Sequence, residues 1–215
     1  MLKPAQEQRW NPIEGFRPAL AGTGAQRELR RWLIIALGAL AIAGVYALLL
    51  AISRIPGADT LFPWPVAFYE KSLIIHVVFS FVVWYLAIAV ILMMVGAARM
   101  AAGAPKLNSL GASASAAMAI AFLLLAAPAL MDRGQPSLNN YVPAIIDPLY
   151  YVGLLMVAFA VVLAAVRVLA NGASRAGPLE PIGAAGMTCA VVALAAVAAF
   201  AVAWNRLGMM PQIAA

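Results

Sequence analysis

Cysteine, histidine and charge are all scarce in this chain. Its 215 residues include one cysteine and one histidine, and only 10% are charged. Cys189 stands alone, so neither an internal disulfide nor a cysteine metal site can be built within the chain. There is no Walker A loop, no dinucleotide-binding glycine pattern, no HExxH and no cysteine pair, which excludes the phosphate and zinc chemistries those motifs serve. None of the eight acidic residues falls in the interior of an apolar run. A proton or ion pathway ordinarily needs carboxylates at that depth, so the reading as a small transporter or channel has little to stand on. What the chain has in excess is hydrocarbon: 65% of its residues are hydrophobic, more than a soluble domain of this size could present to water.

Five apolar runs follow a basic, proline-rich amino-terminal stretch, at about 32–53, 72–98, 111–131, 148–170 and 182–204. Each is long enough to cross a bilayer, and backbone groups in lipid must be satisfied within the segment, so the sequence predicts an all-α integral membrane protein of five transmembrane helices. Residues 1–30 are expected to form a cytoplasmic tail, 31–207 the helical domain and 208–215 a short outer tail. The net charge of +6 does not point to nucleic acid, because Lys3, Arg9, Arg17, Arg27, Arg30 and Arg31 all precede the first run. That is the orientation signal for an amino terminus inside, and five spans then place the carboxyl terminus outside. Trp10 and Phe16 could lie among lipid headgroups. A multi-pass protein of a bacterial inner membrane fits this pattern.

The outer loops carry turn chemistry. Pro56, Gly57, Pro63 and Pro65 punctuate the first, among Phe62, Trp64, Phe68 and Tyr69. In the second, Asn139, Asn140 and Tyr141 suit either turns or a lid over a cofactor or partner, and Asp147 before Pro148 is a helix start, the carboxylate accepting from orphan amides. Gly111, Ser115 and Ala119, with Ala112 and Ala116 alongside, make a small-residue packing face on the third span. Pro128 is expected to bend that span near its outer end.

His76 is the one residue at membrane depth that could ligate a metal. It lies in 27 residues, Ser72–Ala98, free of formal charge. Helical spacing lines it up with Ser72, Ser80, Val83, Ala87 and Met94, while Phe81, Trp84, Tyr85 and Ile88 turn elsewhere. This seam of small and slightly polar groups suits the close approach of a helix or a flat cofactor. His76 therefore reads either as a hydrogen-bonding residue between helices or as a ligand, with Ser80 beside it. A haem iron with two axial ligands needs a second side chain, usually His or Met. Within the chain Met156, ~12 Å into the fourth span, and Met131, at the outer end of the third, are the candidates, and another chain is the alternative source.

FYEKSLIIHVVFSFVVWYLA, followed two helices later by LNNYVPAIIDPLYYVGL, resembles the amino-terminal half of bacterial haem-copper oxidase (cytochrome c oxidase) subunit I-like proteins, over roughly residues 30–170. In that family the second helix carries an axial histidine of the low-spin haem near its outer end, and His76 matches it in helix number and depth. The resemblance implies a subunit of a respiratory or electron-transfer complex, a b-type or a-type haem, and partner membrane subunits, one of which supplies the second ligand. The sequence departs from the family at Val77, where the oxidases often have glycine, and it lacks the later helices that carry the remaining haem and copper ligands. With one histidine it is not an oxidase alone. A cofactor-free scaffold subunit packed in lipid against a larger partner is the alternative.

Overall fold

A computed structural model describes residues 22–61, 67–101, 104–138, 143–175 and 177–206. The tail residues Trp10 and Phe16, and Asn139, Asn140 and Tyr141 of the second outer loop, lie outside the described residues. Among the described residues five helices are long and apolar enough to cross a membrane: α1 (Thr23–Ile52), α2 (Phe68–Met100), α3 (Asn108–Leu130), α4 (Pro148–Ala173) and α5 (Pro181–Arg206), the last counted as a span over Pro181–Val202. The protein is an all-α, multi-pass membrane protein.

Their apolar stripes follow the helical period. On α1 the buried positions are Trp32, Ile35, Ala36, Ala39 and Ala43, while Leu37, Val45 and Leu48 face outward, as lipid allows. The most extensive packing is α3 on α4; α5 lies on α2 and α4, and α1 on α2 and α3. Successive helices run in opposite directions, because ion pairs and hydrogen bonds join alternate ends. Glu28 near the start of α1 meets Arg167 near the end of α4, Arg99 at the end of α2 meets Glu180 before α5, and Lys71 in α2 meets Asp132 after α3. At the α2–α5 crossing a Cβ added to Gly96 would lie 3.2 Å from Gly186 Cα, so small residues bring these backbones together.

Three local features differ from the expectations. First, α1 starts nine residues before the apolar run, and this draws Glu28 into a membrane helix. Its carboxylate pairs with Arg167, which also donates to Asn108 Oδ1 at 2.9 Å and is only 5% exposed. Asn171, one turn further along α4, accepts from the Lys106 amide at 2.9 Å and clamps the α2–α3 connection. Glu28 lies about 8 Å inside the end of its helix, so the acidic residues are not all outside the spans, although this pair sits near one end of the bundle and forms no mid-membrane path.

Second, the loop after α3 holds a small antiparallel hairpin, β1 (Gln135–Ser137) and β2 (Ala144–Ile146), with Gln135 opposite Ile146. It delivers the chain to Asp147, whose Oδ1 accepts from the Leu149 amide at 2.8 Å with Pro148 in the first turn, the helix start expected from the sequence. Pro128 is buried in the last turn of α3, which closes through the Met131 amide to the Ala127 carbonyl and the Arg133 amide to that of Pro128.

Third, α2 is not a regular α-helix. Val78–Val83 forms a π segment, and the Trp84 amide bonds five residues back to Phe79. Such segments insert an extra residue into a turn and recur at functional sites. The run VVFSFVV, crowded with β-branched and aromatic side chains, is the only local sign of it.

Candidate functional site

His76 sits two residues before the π segment, where α2 packs on α1. Because α2 begins at Phe68 rather than near Ser72, His76 is eight residues into the helix, ~12 Å from its start. Its ring reaches across to α1, where Nδ1 donates to the Ala43 carbonyl at 2.9 Å. The approach is possible because Ala36, Ala39 and Ala43 present only methyl groups along the buried stripe of α1. A carbonyl can only accept, so Nδ1 carries the proton in this bond, and in the neutral ring Nε2 is the nitrogen with the lone pair. Among the described residues Nε2 has no hydrogen-bond partner, and the imidazole is half-buried.

Ser80 joins His76 through the backbone. Its hydroxyl donates to the His76 carbonyl at 2.6 Å and lies 3.3 Å from that of Val77, a serine back-bond within the helix. Ser80 thus shapes the helix beneath the imidazole and does not touch the ring. The remaining seam residues Ser72, Val83, Ala87 and Met94 are buried, whereas Phe81, Tyr85 and Ile88 are exposed, as the helical spacing implied; Trp84, expected to turn away with them, is half-buried and packs on the core.

Met156 is half-buried on α4 and packs on the core; α4 lies mainly against the Trp84–Met100 part of α2, whereas the Phe68–Val77 part carrying His76 packs mainly on α1, α3 and the hairpin. Met131 is exposed at the end of α3. Among the described residues no three His, Cys, Asp or Glu side chains converge into a metal site.

Sequence reasoning missed the charged surroundings of this end. Lys71, five residues before His76, is buried and donates to Asp132 Oδ1 at 2.7 Å; Asp132 follows α3 with a left-handed backbone. Asp147 Oδ2 lies 3.3 Å from Arg133 Nε. Each is a plain loop charge until the hairpin folds back over the start of α2.

No protein-family model matches the chain, and no solved structure matches it. It is similar to an uncharacterized protein of Aquifex aeolicus (strain VF5), 33% identical over 138 residues, which cover 64% of this chain and 33% of that protein. The chain therefore spans about a third of the length of that relative.

Proposed function

We propose that this chain is a subunit of a respiratory or related electron-transfer complex in a bacterial inner membrane, and that His76 is an axial ligand of a b-type or a-type haem completed by a partner subunit. The observation that carries this reading is the bond from His76 Nδ1 to the Ala43 carbonyl. Histidines that bind metals characteristically donate their other ring N–H to a carbonyl or carboxylate, which fixes the tautomer and orients the ring. Here Nε2 is the free donor atom, on a half-buried ring at a helix junction. A haem asks one histidine of this chain, whereas a closed zinc or copper site would need several converging ligands. When bound, a haem supplies one-electron transfer. The chain itself contributes an imidazole oriented through Nδ1 and, directly after it in the helix, a π segment whose Ser80 hydroxyl bonds the His76 carbonyl.

His76→Gln is the test. Glutamine can keep a hydrogen bond to Ala43, worth about 0.6–2 kcal/mol in membrane helices, so the complex is expected to insert and assemble. It should lose the haem absorption assigned to this subunit. An unchanged spectrum at equal complex yield would refute ligation and leave the cofactor-free scaffold reading in front.

The orientation belongs to the same proposal. Arg27, Arg30, Arg31, Arg99, Lys106, Arg167 and Arg175 gather at one end of the bundle, against Arg54, Lys71, Arg133 and Arg206 at the other. The basic end then faces the cytoplasm and His76 lies toward the outer face. A reporter at the carboxyl terminus is expected to respond as periplasmic and one inserted at 175–179 as cytoplasmic. The reverse pattern would invert the orientation and put His76 on the inner side.

A further inference from the structure

A cavity of about 620 Å³ opens at the basic end of the bundle, between the start of α1, the end of α2 and the start of α3. Its polar wall is Arg27, Glu28, Arg31, Asn108 and Arg167, three guanidiniums against one carboxylate. Glu28 is already committed to Arg167. Arg27 and Arg31 are exposed and have no partner among the described residues. Arg167 is 5% exposed, its Nη atoms donate to Glu28 and Asn108, and its inaccessible Nε has no acceptor among the described residues.

The cavity does not end at the headgroup level. It shares Arg31 and Ala112 with a second hollow of about 410 Å³, which continues between α1 and α3 past Ile34, Ala116 and Ala119. Ala112 to Ala119 is seven residues, so the groove runs ~10 Å into the apolar region. The small residues of α3 thus divide into two edges. Gly111 is buried in helix packing, whereas Ala112, Ala116 and Ala119 remain exposed and floor this groove, with the buried Ser115 beside them.

We propose that this is a binding site for an anionic phospholipid, with its phosphate against Arg27, Arg31 and Arg167 and one acyl chain in the α1–α3 groove. Charge complementarity selects the head, and the continuous apolar channel selects an amphiphile over a free anion. The proposal depends on the bundle's residence in a membrane and not on haem ligation by His76.

The test uses the full chain in mild detergent, with phosphatidylglycerol or phosphatidylcholine added and retained lipid read by native mass spectrometry. Wild type is expected to retain phosphatidylglycerol preferentially. Arg27→Gln with Arg31→Gln should lower that retention by about fivefold per arginine, and Arg27→Lys with Arg31→Lys should keep most of it. Ala116→Phe, which fills the groove and leaves the charges in place, should also lower it. Equal retention of the two lipids, or unchanged retention in the double glutamine variant, would overturn the proposal. So would inorganic phosphate competing fully with the lipid while Ala116→Phe has no effect, because the site would then hold a free anion.

Discussion

Glu28→Ala is expected to destabilise the bundle by about 3–5 kcal/mol, the cost of leaving one partner of a buried ion pair uncompensated. Arg167 would keep Asn108 as an acceptor but lose the carboxylate of Glu28, on a side chain that is 6% exposed. The pair ties α1 to α4 across 139 residues of sequence, so the loss falls on tertiary packing and not on the helices themselves. Unfolding in mixed micelles titrated with dodecyl sulfate measures it. Glu28→Leu combined with Arg167→Met should recover most of the loss, since replacing both charges removes the desolvation penalty with the attraction. If the single variant unfolds at the same detergent fraction as wild type, the pair contributes nothing to stability.

Gly134→Ala is the second large effect. Gly134 adopts φ +70°, where a side chain costs ~1–2 kcal/mol. The space is also taken: an added Cβ would lie 2.7 Å from the Ile146 carbonyl, 2.8 Å from Ile145 Cγ2 and 2.9 Å from Asp147 Cβ. Forcing a methyl group there adds about 1–3 kcal/mol of overpacking. The strain lands on the hairpin and on the carboxylate that caps α4. Faster hydrogen exchange at the Leu149 amide is therefore expected along with the loss of stability. Gly177→Ala, with open space around it, is the control and should stay within about 0.5 kcal/mol of wild type. Equal behaviour of the two variants would show that the hairpin does not constrain the start of α4.

The number and approximate place of the spans were legible in the sequence because length and hydropathy belong to consecutive residues, and a bilayer demands little else. The seam on α2 and the Asp147–Pro148 start were legible for the same reason: helical periodicity and capping act within a turn or two. Helix ends were not. The charged turns before α1 and α2 belong to the helices although they lack apolar character, and this moved Glu28 into α1 and set His76 one turn deeper.

His76 could be singled out by its rarity, but nothing marked what would hold it. Every residue offers a backbone carbonyl, so the sequence carries no sign that Ala43, 33 residues away, is the one that accepts from Nδ1. Ser80 was placed beside His76 by spacing, yet its task under the π turn depends on where the helical ladder shifts register. Arg167 and Glu28 are ordinary terminal charges along the chain, and become a buried pair and a cavity wall only when antiparallel packing brings the start of α1 to the end of α4. Spans and faces are short-range properties that composition and periodicity determine; the tautomer of His76, the buried ion pair and the cavity beside it are long-range contacts, decided when the helices dock.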